Sequence, residues 1–250
     1  MKILHVAGTN GKGSVCAYLD AMLRSEGKRT GLFISPHLVK MNERIMIDGV
    51  PVSDEVFSEV FTQTLGAVKQ MEAEGLEHPT FFEFLFGMGM LAFSQAEAEY
   101  VILETGLGGT YDSTTACGVP DVTVIAKIGF DHMAILGDTL AKIAAEKAGI
   151  IKHGTALVLE SQEKEAMDVL NKAAERADIK TIKVVNLDEI RILPQKDGKQ
   201  CFSYAGYDAV TMKMLGVHQY ENAVAAMLAA ELFFEKYFAG KKNVPERKAL

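Results

Sequence analysis

The chain has 250 residues, with 26 basic and 33 acidic side chains and a formal charge of −7. An acidic chain does not hold nucleic acid through bulk charge, because that affinity comes from Lys and Arg neutralising phosphates, so any polyanion it binds must be met by a local device. Hydrophobic residues at 48% and charged residues at 24% exclude disorder, collagen and coiled coil as readings of the whole chain.

The elements follow in chain order. Residues 3–7 predict a strand, 14–24 a helix and 30–34 a second strand. Asp48-Gly49 between β-branched residues predicts a tight hairpin, since that pair accepts the left-handed backbone of a type I′ turn. Residues 54–74 carry apolar side chains near helical spacing, as expected for one buried face. Thr80 and Glu83 form a capping-box pattern that opens a helix to Phe93. Strands are predicted over 100–103, 122–128 and 156–159, with helices over 140–148 and 163–177. Residues 184–214 turn to short strands with a hairpin at Asp197-Gly198, and a last helix spans 218–238. This alternation predicts an α/β fold with a mostly parallel sheet flanked by helices. A single domain is expected over 1–240, with 184–214 as a β elaboration and 241–250 as a polar tail.

Cys16, Cys117 and Cys201 show no metal or redox spacing and fit a reducing, cytoplasmic compartment. The apolar stretch 81–93 is broken by Glu83 and falls short of the ~20 residues a bilayer span needs. A soluble monomer with neither membrane nor nucleic-acid partner is expected.

Gly8-Thr9-Asn10-Gly11-Lys12-Gly13-Ser14 lies between a predicted strand and a predicted helix. Consecutive backbone amides, the positive end of a helix and one lysine make a cradle for phosphate oxygens, which is the local device an acidic chain needs. The spacing departs from G-x-x-x-x-G-K-[ST], because Gly13 separates Lys12 from Ser14. Glu104 and His132 follow two further predicted strands, and in open α/β sheets ligands bind at the carboxyl ends of strands. Together they suggest metal ligation beside a nucleotide. Taken alone, Lys147 reads as a solvated helix lysine, His218, Gln219 and Asn222 as polar positions at a helix start, and His37 as an exposed, inert side chain.

These residues, with Ser35-Pro36-His37-Leu38, Asn42-Glu43-Arg44-Ile45, Glu104 to Gly109, Asp131-His132, Glu146 to Ile150 and His218-Gln219-x-x-Asn222, occur in an order that resembles the folylpolyglutamate synthase and dihydrofolate synthase family of the Mur ligase superfamily. The resemblance implies a P-loop fold of the Mur ligase central-domain type. It also implies a reaction in which ATP phosphorylates the terminal carboxylate of a folate or pteroate and glutamate attacks the acyl phosphate. By that resemblance Gly8 to Ser14 and Asn222 bind ATP, Ser35 and Glu104 ligate one Mg2+, and His132 with Glu104 serves a second. Lys147 matches the family's carbamylated lysine, giving catalytic roles to Lys147, Glu104 and His132. Thr80, Phe82, Glu83, Tyr111, Asp112 and Ser113 match the folate-binding region, and Ser35-Pro36-His37 resembles a mobile loop over the substrate.

The family pattern breaks in places. Thr110 stands where an arginine is usual, and a hydroxyl cannot replace a forked cation. Relatives usually begin with a helical segment before the first strand and carry a C-terminal domain, which the resemblance implies is absent from these 250 residues. The partners expected are therefore small molecules: ATP, a folate or dihydropteroate, and L-glutamate. A truncated, non-catalytic Mg-ATP-binding module is the alternative. A P-loop kinase or GTPase ranks lower, since it needs Ser or Thr directly after Lys12 and, for a GTPase, a base-reading motif absent here.

Overall fold

The structure, a computed structural model, describes residues 1–238; the expected polar tail 241–250 lies outside the described residues. The chain opens with β1 (Lys2–Ala7), α1 (Lys12–Ser25), β2 (Thr30–Phe33), β3 (Ile45–Ile47) and β4 (Val50–Pro51). Next come α2 (Asp54–Ala73), α3 (Phe81–Gln95), β5 (Tyr100–Glu104), β6 (Val122–Ile125), α4 (Met133–Leu136) and α5 (Leu140–Lys147). It closes with β7 (Ala156–Leu159), α6 (Lys164–Arg176), β8 (Ile182–Val184), β9 (Arg191–Lys196), β10 (Lys199–Tyr204), β11 (Tyr207–Met212) and α7 (His218–Phe238).

The main sheet has eight strands in the order β4-β3-β2-β5-β1-β6-β7-β8. The pairs along β2-β5-β1-β6-β7-β8 are parallel, and at the edge β3 pairs antiparallel with both β2 and β4. At that hairpin Asp48 and Gly49 both take positive φ, 50° and 77°, as a type I′ turn requires. Alternating side chains sort the sheet into two covered faces. Leu4, Val6, Ile102, Val122 and Val124 pack with α1 and α7, while Val101 and Leu103 pack with α3, and Ile125, Leu157 and Leu159 pack under α5 and α6.

The expected elaboration over 184–214 overlaps the main sheet at Val184 alone. Ile182–Val184 is an edge strand of the main sheet, and the elaboration proper is the antiparallel sheet β9–β10–β11. The predicted strand 122–128 also stops early, because the chain leaves the ladder after Ile125 to meet the loop after β1. Among the described residues no helix is long and apolar enough to cross a membrane.

This topology positions the site. β1 is central, with β5 and β6 hydrogen-bonded on either side, Val6 opposite Glu104 and Ala7 opposite Ile125. Because these strands are parallel to each other and to β2, the segments after all four emerge at one edge. Ligands bind in the crevice outside such strand ends.

Candidate functional site

The loop Gly8 to Gly11 bends from β1 into α1, whose N-cap is Gly11 with φ 83°. A side chain there would be strained, and a Cβ would also sit 2.2 Å from Asn222 Oδ1. Thr9 and Asn10 donate their amides to the Lys127 carbonyl at 2.8 and 3.1 Å. The Thr9 hydroxyl and Gly129 hydrogen-bond each other through hydroxyl and main chain. The loop is thus docked onto the segment after β6, with Gly13 and Ser14 in the first turn of α1. Lys12 Nζ rests on the Thr9 carbonyl at 3.2 Å, a bond that a phosphate oxygen can replace.

Glu104 ends β5 and is 4% exposed. It accepts the Ser35 amide at 2.9 Å, and its oxygens lie 3.8 Å from where a Cβ of Gly13 would stand. Burial pushes its carboxyl pKa up, opposed by the Ser35 amide, Lys12 and Arg44. A buried carboxylate facing a lysine and a loop of amides favours a cation beside it. Among the described residues no three His, Cys, Asp or Glu side chains converge as a metal cage. The Ser35 hydroxyl and the Glu104 carboxylate are hard oxygen groups at the mouth of the loop.

Lys147 is not solvated. It is 4% exposed at the end of α5 and donates to the Gly8 carbonyl at 2.7 Å. Desolvation, with Lys12 adding repulsion, lowers its pKa to about 8. The backbone here is tightly interlocked: a Cβ on Gly109 would stand 2.7 Å from the Glu146 carbonyl, and one on Gly149 would stand 2.3 Å from Thr110 Cα. The glycine loop after β5 therefore clamps the end of α5 under the phosphate loop. Thr110 uses its amide and hydroxyl on the Glu146 carbonyl.

Gln219 and Asn222, at the start of α7, are buried. Gln219 donates to Ser14 Oγ at 3.1 Å, and Asn222 donates to Gln219 Oε1 at 3.2 Å. Both are tied to the phosphate loop, which corrects the bland reading of a polar helix start; His218 alone remains exposed.

In front of this floor lies a cleft of about 890 Å3 lined by Lys12, Ser35, Arg44, Thr80, Phe82, Glu83, Tyr111, Asp112, Ser113 and His132, among others. Thr80 and Glu83 form the expected capping box, and Phe82 packs edge-on against Phe33. Tyr111 is 93% exposed. Asp112 is buried, and its carboxylate accepts the Gly106 and Leu107 amides at 2.8 Å each and the Thr114 amide at 3.0 Å. Its oxygens are thus committed to the loop that shapes the cleft. His132 sits on the rim with φ 47°, paired with Asp131 at 3.6 Å.

Residues 55–230 match the Mur ligase middle domain. The chain belongs to the Mur ligase middle-domain family. A folylpolyglutamate synthase of Arabidopsis thaliana is 40% identical over 247 residues, covering 99% of this chain and 40% of the relative. The dihydrofolate synthase/folylpolyglutamate synthase of Bacillus subtilis is 38% identical over 241 residues, covering 92% of this chain and 55% of the relative. An FPGS-AMPPCP-folate complex superposes with a TM-score of 0.88 at 27% identity, covering 94% of this chain and 58% of that one. The chain thus spans about half the length, or less, of these Mur ligase relatives.

Three positions escaped the sequence-level assignment of roles. Arg44 is buried, donates through Nε to His37 Nδ1 at 2.9 Å and reaches the cleft; His37 is therefore engaged rather than inert. His5, fully buried in β1, hydrogen-bonds Thr114 Oγ1 at 2.7 Å, and Thr114 in turn bonds Asp112. Gln219 joins the phosphate loop to α7. A charged residue ending a motif could have flagged Arg44; nothing in an apolar strand flags His5.

Proposed function

We propose that this Mur ligase domain is the nucleotide-binding part of an ATP-dependent ligase that adds L-glutamate to a folate or to dihydropteroate. The observation that carries the reading is the phosphate loop flanked by Asn222 on one side and by buried Glu104 and Ser35 on the other. Folylpolyglutamate synthase relatives and the likeness to an FPGS-AMPPCP-folate complex support it.

In this reading a carboxylate oxygen of the folate attacks the γ-phosphorus of ATP, and the bond to the β-phosphate oxygen breaks to release ADP. The glutamate amine then attacks the acyl phosphate carbon, inorganic phosphate leaves and the amine loses a proton. Such chemistry is mostly positioning and charge neutralisation. The amides of Gly11 to Ser14 and the Lys12 ammonium bind the β- and γ-phosphates, with Gly8, Thr9 and Asn10 shaping the turn. Ser35 and Glu104 would hold Mg2+, which supplies charge neutralisation across the phosphates; His132, on the rim, would serve a second ion. Thr80, Phe82, Glu83, Tyr111 and Ser113 offer one wall to the pterin, and Asp112 holds its loop. Arg44 supplies a forked cation in the cleft that Thr110 lacks.

Lys147 suits carbamylation. An amine with pKa about 8 is partly unprotonated near neutrality, so its nitrogen can form a bond to CO2 with loss of a proton. The product replaces a cation by an anion next to the phosphate loop, where it can orient metal or water. Removing bicarbonate should then lower turnover, with recovery on its return.

A second reading, a non-catalytic Mg-ATP-binding module, is favoured by Thr110 alone. Titration with Mg-ATP and then a reduced folate, followed by ADP release on adding glutamate, separates the two. Ordered binding with glutamate-dependent ADP release supports the ligase; nucleotide binding without turnover supports the module; no nucleotide binding overturns both.

A further inference from the structure

A second cavity lies behind the nucleotide loop, between α1, β11 and α7. It encloses about 610 Å3, within the ~300–1,000 Å3 of small-molecule sites. Its wall is mostly apolar and rich in methionine, with Met22, Met212, Met214 and Met227. Thioether side chains are unbranched and polarisable, and they adapt to varied apolar guests. Four polar side chains join this wall, Tyr18, Ser25, Thr211 and Lys213, and Lys213 carries the only charge among them. Lys213 is exposed, and among the described residues it has no carboxylate within ion-pair distance.

The phenol is underused. Its single hydrogen faces two acceptors, Met212 Sδ and Gln219 Oε1, each at 3.3 Å; it can serve only one at a time, and 3.3 Å is long for an O–H···O bond, so the group can turn to an acceptor inside the cavity. An apolar body needs the methionine wall, and a single anionic head needs Lys213. We propose that this cavity binds a small amphipathic monoanion, an apolar body bearing one carboxylate or sulfonate, and that its occupancy changes nucleotide affinity.

The coupling follows from the hydrogen bonds. Tyr18 contacts Gln219, Gln219 donates to Ser14 in the first turn of α1, and Asn222 bonds Gln219 while packing on Gly11. A guest that draws the Tyr18 hydroxyl away from Gln219 changes how Gln219 holds both Ser14 and Asn222. By linkage the nucleotide then alters guest affinity by the same factor. Binding of the guest stands by itself; the coupling rests on the reading of the loop as a nucleotide site.

The test uses the full chain with anilinonaphthalene sulfonate, read by fluorescence, and laurate, read by displacement and calorimetry. Saturable binding of both with one-to-one stoichiometry is expected. Ala21→Trp, placed at an exposed position on the cavity wall, should weaken both probes by at least about ten-fold, and a thermal melt confirms that it folds. Lys213→Glu should weaken laurate by about ten-fold and leave dodecanol unchanged. Saturating laurate should shift the Mg-ATP dissociation constant by a few-fold to a plateau.

The proposal is overturned by no saturable probe binding, by binding indifferent to Ala21→Trp, or by strict competition in which Mg-ATP expels the probe without a plateau. Probe binding that falls as protein concentration rises means that a second copy covers the cavity, and this also overturns it. A chain that binds laurate but no nucleotide refutes the nucleotide reading and leaves the cavity's ligand class standing.

Discussion

The floor and the rim of the cleft are built differently. On the floor, Lys147, Glu104, Gln219 and Asn222 are buried, and each is held by main chain or by another floor residue. On the rim, Tyr111, Asp131 and His132 are exposed, and the His132 ring pairs with its neighbour Asp131. A floor fixed in this way would meet a phosphate with little change beyond the release of Lys12 from the Thr9 carbonyl, the preorganisation that electrostatic catalysis requires. Floor variants should therefore alter nucleotide binding and stability together, and rim variants should act on turnover with a stability cost of at most about 1 kcal/mol.

The largest expected effect is at Gly11. Gly11→Ala places a Cβ 2.2 Å from Asn222 Oδ1 at a left-handed backbone position, so the loop must shift. Calorimetry should show Mg-ATP affinity falling by at least ~100-fold, given the cost of a strained, displaced contact. Unchanged affinity would mean that Asn222 is not part of the phosphate site.

Next comes Lys147, through pH. Its folded pKa of about 8 lies below the ordinary lysine value of 10.5, so between those values the unfolded chain binds more protons and stability rises with pH. The full difference is on the order of 3 kcal/mol. Urea midpoints should climb from pH 8 to 10 more steeply for the parent than for Lys147→Met, which lacks the titrating group. Parallel curves would show that the amine is not desolvated as its burial implies.

Arg44 tests whether an arginine outside the glycine loop does what Thr110 cannot. Arg44→Lys keeps the charge but loses the fork that reaches both His37 and the cleft. Folate KM should rise by about ten-fold, since a single point charge replaces bidentate recognition, with nucleotide affinity within about two-fold of the parent. An equal loss in both would place Arg44 with the floor.

How much of this was legible follows the same division. The strand ends, Gly8 to Ser14 and the capping box could be read because each depends on local rules: β-branched runs, glycine where φ is positive, and a hydroxyl three residues before a carboxylate. The burial of Lys147 could not, since it follows from a glycine loop some forty residues away closing on α5. The same holds for Gln219, whose partner Ser14 is distant in sequence. Strand runs over 184–214 do not say which sheet they join, and Val184 belongs to the β7 edge by its pairing with Leu159.

The smallest effects belong to the rim. Thr80→Ala removes the hydroxyl that accepts the Glu83 amide at 3.3 Å and should cost about 1 kcal/mol, as N-cap losses do. His132→Ala should cost less than ~0.5 kcal/mol, because the ring is exposed and its contact with Asp131 is a solvated one. If His132 serves a second metal ion, the same substitution should still lower turnover by at least ~10-fold with Mg-ATP affinity unchanged. A variant that keeps both stability and turnover would remove His132 from the site and leave Ser35 and Glu104 to hold a single ion. One that instead loses Mg-ATP affinity would move His132 from the rim to the floor, and the contrast between the two would fail there.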